Sequence, residues 1–67
     1  MAVARITEII ASSKESWEDA ARQGLARAAK TVRGITGMEV LRQNAKVDSG
    51  RIVEYRVDLR ITFVLEK

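Results

Sequence analysis

From Val53 to Leu65 every odd position of the chain is apolar: Val53, Tyr55, Val57, Leu59, Ile61, Phe63 and Leu65. Between them stand Glu54, Arg56, Asp58, Arg60, Thr62 and Val64. Alternation with period two, rich in β-branched and aromatic residues, predicts one long strand with a single buried face. At about 3.3 Å per residue the run from Arg51 to Leu65 reaches roughly 50 Å if straight. A compact chain of this length has a radius of gyration near ~11 Å and a diameter of about 28 Å. The strand must bend sharply or be completed by other subunits. The second solution agrees better with the rest of the sequence.

Sixty-seven residues make one domain, residues 1–67, in the size range where a single-chain core is marginal. The chain has no cysteine and no histidine. That excludes a disulfide framework, a Cys/His zinc site, and any catalysis that needs imidazole or thiol. Self-association or an oxygen-ligated ion is left as the staple. No apolar run has the length of a signal peptide or membrane span, so the expectation is a soluble cytoplasmic protein without a membrane partner. The net charge of +3 comes from 12 Lys+Arg against 9 Asp+Glu, with the signs interleaved. Lys14, Arg22, Arg27, Lys30 and Arg33 read as a solvated helix face rather than a nucleic-acid stripe. One Trp, one Tyr and one Phe leave little for base stacking.

Val3–Ile10, with Val3, Ile6, Thr7, Ile9 and Ile10, predicts a first strand. Ser12 followed by Glu15 has the spacing of a capping box. A helix is expected over residues 13–33, its apolar stripe formed by Trp17, Ala20, Ala21, Gly24, Leu25, Ala28 and Val32. Trp17 falls within that stripe and is assigned to the core. Gly24 costs roughly 1 kcal/mol against Ala in mid-helix, which a close backbone contact would offset. Gly34 suits the left-handed position after the helix.

Met38–Val47 predicts a second strand, and Asp48-Ser49-Gly50 a three-residue hairpin loop. The hairpin register stays open. Pairing Val47 with Arg51 sets Arg42 against Arg56, a repulsive pair, whereas a bulge slips Glu39 opposite Arg60. The expected fold is α+β, strand–helix–strand–strand, with one sheet face on the helix. The other face carries Glu54, Arg56, Asp58 and Arg60. Of these, Glu54, Asp58 and Arg60 are assigned to a polar, ion-paired interface between copies.

Taken together and in order, several segments resemble the dodecin family. They are Glu8-Ile9-Ile10, Ser12-Ser13, Trp17-Glu18-Asp19-Ala20-Ala21, Gly24 to Arg33, Glu39-Val40, and Thr62-Phe63-Val64-Leu65-Glu66. The resemblance spans nearly the whole chain. It implies a βαββ subunit whose three-stranded antiparallel sheet wraps around one helix. Twelve such subunits would form a hollow homododecamer that binds and stores flavin without catalysis.

The flavin-contacting residues of the family do not carry over. The position of the stacking tryptophan falls on Gly37, and that of the glutamine at the flavin's polar edge on Arg56. Loss of the indole forfeits about 1 kcal/mol of stacking beyond area burial. Arg has no acceptor and favours an anion or phosphate. The expectation is therefore a small-ligand-binding assembly with Gly37, Met38 and Arg56 at its ligand site and weak ordinary flavin binding. Met38 would offer a polarizable thioether. An ion-binding or purely structural shell is the alternative, with Glu8, Glu39, Glu54, Asp58 and Glu66 as oxygen donors repeated by symmetry. No EF-hand pattern is present. An enzyme is not expected, since there is no phosphate loop and no nucleophile-elbow serine.

Overall fold

The long strand forms the middle of the molecule. In a computed structural model, which describes residues 3–65, the order is β1 (Ala4–Ser13), α1 (Trp17–Ala28), β2 (Ile35–Asp48) and β3 (Arg51–Val64). The three strands form one antiparallel sheet in the order β1-β3-β2, with α1 against one face. This is the expected α+β, βαββ subunit. β3 does not fold back on itself. The chain extends over 52 × 19 × 13 Å with a radius of gyration of 13.8 Å, well above the ~11 Å of a compact chain this size.

The helix is shorter than expected and starts on a different cap. Ser12-x-x-Glu15 and Ser16-x-x-Asp19 carry the same signal, and the second one is used. Ser16 is extended (φ −173°, ψ 167°) and its hydroxyl accepts from the Asp19 amide at 3.0 Å. The first pair is unavailable because β1 continues past Ile10, with Ser12 and Ser13 paired to Arg56 and Tyr55 of β3. Buried Ser13 instead donates from Oγ to Asp19 Oδ2 (2.6 Å) and accepts from the Glu15 amide (2.9 Å).

At the other end α1 stops at Ala28, with Ala29 as its cap, rather than at Arg33. Thr31 and Val32 are β-branched and poor helix formers. Gly34 has the expected positive φ (78°), but it begins the return to the sheet instead of ending the helix. Its carbonyl accepts from the Val64 amide at 2.9 Å. A Cβ there would lie 2.8 Å from the Val64 carbonyl oxygen.

β2 exceeds the expected Met38–Val47 at both ends. The loop is a two-residue turn, not three: Asp48 pairs with Arg51, and Ser49 and Gly50 have φ of 53° and 75°. Two positive φ values mark the turn whose twist matches a hairpin. Bulges between Lys46 and Val47 and between Val40 and Arg42 choose the slipped register. Glu39 faces Arg60 and Arg42 faces Asp58, so the repulsive Arg42–Arg56 pairing does not arise.

The core is small. Ala20, Val57 and Leu59 are buried, with Ile9, Ala11, Trp17 and Ala21 packed around them. Gly24 lies against the sheet so closely that a Cβ would sit 2.9 Å from both Ala11 Cβ and Leu59 Cδ1. The small residue in mid-helix is the condition for this contact.

Candidate functional site

Strand pleating sorts β3 by parity. Val57, Leu59 and Ile61 are buried on the helix side, and Glu54, Arg56, Asp58 and Arg60 share the opposite face. Strand pairing turns that face into rows across the sheet. Glu8, Arg60 and Glu39 form one row, Ile10, Asp58 and Arg42 the next, and Ser12, Arg56 and Asn44 a third. Arg60 Nη1 lies 3.5 Å from Glu39 Oε1. Arg56 holds Glu54 with Nη2 at 3.0 Å and Nε at 3.1 Å.

Two carboxyls on this face are displaced in opposite directions. The hydrogen bond from Arg56 and the nearby Ser12 hydroxyl hold Glu54 below the ordinary 4.5 against desolvation, helped by the charges of Arg56 and Lys46. Glu8 is raised above 4.5 chiefly by the neighbouring Asp58 carboxyl and by desolvation, with the charges of Arg60 and Arg42 opposing.

The three expected ligand residues do not meet within one subunit. Gly37 pairs with Thr62 and Met38 with Ile61, while Arg56 pairs with Asn44. Six positions of β3 separate Thr62 from Arg56, about 20 Å at the usual rise. Position 37 has room: a Cβ there would meet Thr62 Cβ at 3.8 Å, an ordinary contact. Met38 is exposed. Arg56 is engaged with Glu54 rather than standing free.

Trp17 packs against the core, as expected, with its ring edge-on to Tyr55 at 4.8 Å. Of the candidate oxygen donors, Glu39 and Glu54 are each turned to an arginine. Glu66 lies outside the described residues. Among the described residues no three carboxylates stand together. None of their helices is long and apolar enough to cross a membrane. Arg22 of the basic stretch pairs with Glu18 in solvent.

One feature escapes sequence reading. A groove of about 480 Å³ runs between α1 and the β1 edge, lined by Ile9, Ile10, Ala11, Gly24, Ala28 and Val32 among others. The small residues of the helix stripe were its only signal.

A family model described as Dodecin matches residues 3–66. The "Calcium dodecin" of Mycobacterium tuberculosis is 36% identical over 63 residues, 94% of this chain and 89% of its own length. The "Dodecin" of Thermus thermophilus is 35% identical over 60 residues, covering 90% and 87%. Among solved structures, dodecin from Streptomyces davaonensis superposes with a TM-score of 0.94 at 27% identity, over 98% of this chain and 97% of that one. The M. tuberculosis calcium dodecin, described as calcium-chelating with a novel calcium-binding site, superposes with a TM-score of 0.83 at 34% identity, covering 96% and 91%.

Proposed function

The chain belongs to the dodecin family, and from that footing we propose that it is one subunit of a homododecameric, non-enzymatic shell that binds a small ligand other than ordinary flavin. The observation that carries the assembly is the mismatch between helix and sheet. A 12-residue helix is about 18 Å long and lies on a chain 52 Å in extent. Among the described residues nine large apolar side chains are left exposed. Val47, Ile52 and Val53 gather at the hairpin tip, Met38 and Val40 lie on β2, and Ile6 and Ile10 on β1. Further copies are the natural cover for so much apolar surface. The polar rows through Glu54, Asp58 and Arg60 supply ion pairing between copies. Twelve is the number the family implies.

The ligand reading rests on position. Gly37 and Met38 are about 20 Å from Arg56 along β3, so a site that uses all three draws Arg56 from a neighbouring copy. Gly37 offers no ring to stack on a flavin. The setting is cytoplasmic, without nucleic-acid or membrane partners, in keeping with the interleaved charges.

Quenching of riboflavin fluorescence on titration tests this. The unaltered protein should bind well above the micromolar range, weaker than about −8 kcal/mol. Gly37→Trp combined with Arg56→Gln should restore binding by more than the sum of the single changes, because both act on one ring. Tight quenching by the unaltered protein contradicts the loss of the flavin site.

The alternative is an ion-binding or structural shell. Its support is the relative named calcium dodecin. Calorimetric titration with calcium separates the two: a stoichiometric heat, with no flavin binding by the double variant, favours the ion.

A further inference from the structure

β2 and β3 outrun the rest of the sheet. β1 ends at Ser13, opposite Tyr55, and beyond it residues 46–48 and 51–54 continue as a ribbon of two strands. The helix gives this ribbon no support. α1 starts with Trp17 beside Tyr55 and runs the other way, to Gly24 against Leu59. A two-stranded ribbon is marginal in water on its own. This one also presents Val47, Ile52 and Val53 to solvent, at 61%, 48% and 41% exposure. Val47 lies opposite Ile52, and Val53 is the next residue, so the three form one apolar tip.

The groove between α1 and β1 is the complementary surface. It holds about 480 Å³ between a strand wall of Ile9, Ile10 and Ala11 and a helix wall of Gly24, Ala28 and Val32. Small side chains make up most of the helix wall, which leaves the groove open to an insertion. The exposed side chains of Gln23 and Arg27 line its rim, and Lys30 adjoins Arg27. Neither cation forms an ion pair among the described residues, and at the ribbon tip the same holds for Asp48. Arg51 stands opposite Asp48 without closing a pair. The Asp48 carboxylate accepts a weak hydrogen bond from the Ser49 hydroxyl at 3.4 Å.

No chain can fill its own groove with its own tip. Ile10 pairs with Asp58, seven positions along β3 from Arg51, or about 23 Å at the usual rise. The length of β3 holds the two surfaces apart.

We propose that the hairpin tip of one copy inserts into the α1–β1 groove of the next, with Val47, Ile52 and Val53 against the apolar walls and Asp48 against Arg27 and Lys30. The inference rests on the assembly proposed above and names a contact that builds it. Tip and groove are different surfaces, so the contact is head to tail, and every copy gives one tip and receives one. In a closed assembly no tip and no groove is left bare.

The chain has no cysteine, so single introduced cysteines report the contact. Ala28→Cys and Ile52→Cys, one in the groove and one at the tip, are expressed together and treated with a short bis-maleimide. A cross-linked dimer should form in the mixture and be nearly absent from either variant alone. Light scattering on the same samples separates the failures. Assembled particles without a mixture-specific dimer overturn this contact and leave the assembly intact. Dimers formed equally by one variant alone do the same, because like surfaces would then meet. Particles with the mass of a single chain overturn the contact and the assembly together. Ile52→Asp gives a second reading, since the tip is no part of the core. It should keep its helix and sheet by circular dichroism while its mass shifts to smaller species. An Ile52→Asp variant that assembles like the wild type overturns the proposal. So does wild-type protein whose assembled form carries a bound small molecule in the groove, seen as added mass that Ala28→Trp removes in native mass spectrometry without loss of assembly.

Discussion

Trp17 Nε1 donates to the Asn44 carbonyl at 2.8 Å, so the first residue of α1 is fastened to the backbone of β2. The same indole stands edge-on to Tyr55 of β3 at 4.8 Å and 77°. Helix, central strand and edge strand are tied together at one side chain.

Replacing that side chain separates its two contributions. Trp17→Phe keeps a ring beside Tyr55 but loses the hydrogen bond, and should cost about 0.5–1.5 kcal/mol. Trp17→Ala removes both, and because the indole is half-buried the loss should fall at the low end of roughly 3–5 kcal/mol. Urea unfolding with unchanged slope measures each.

The two glycines at 24 and 37 should respond differently to alanine. At Gly24 the new Cβ would meet Ala11 Cβ and Leu59 Cδ1 at 2.9 Å. Overpacking of about 1–3 kcal/mol outweighs the roughly 1 kcal/mol gained in helix propensity. Gly37→Ala meets only Thr62 Cβ at 3.8 Å and should stay within about 0.5 kcal/mol of the wild type. Equal changes at the two positions would mean that the helix does not sit this close to β1.

Much of this was legible before any coordinates. The alternation from Val53 to Leu65 placed β3 and sorted its faces, because a pleated strand with one buried face allows a single register of side chains. The close contact at Gly24 was visible as a costly residue in need of compensation. Boundaries were less so. Ser12 and Ser16 carry the same capping signal, and only the pairing of Ser13 with Tyr55 decides between them. The turn at Ser49 requires a positive φ in a residue that seldom adopts one, which hid the two-residue loop. The candidate ligand residues Gly37 and Arg56 lie on adjoining strands, yet the pairing of β2 with β3 holds them apart, a distance no local pattern reports. The row of Glu8, Arg60 and Glu39 was invisible for a similar reason, since it depends on β1 joining β3 across most of the chain.

The polar face should matter more to assembly than the helix surface. Arg60→Glu breaks the pair with Glu39 and sets a third carboxylate beside Glu8 and Asp58. Lys14→Glu changes the charge just before the helix by the same amount, at an exposed residue. In sedimentation velocity Arg60→Glu should shift mass to smaller species at concentrations where Lys14→Glu remains assembled. Equal effects would show that the face is merely solvated.

The central claim is that this elongated subunit is completed by copies of itself. Light scattering coupled to size exclusion, at micromolar concentration, tests it most directly. The predicted result is one species of about twelve times the 7.5 kDa chain mass. A stable, folded species of 7.5 kDa would contradict it.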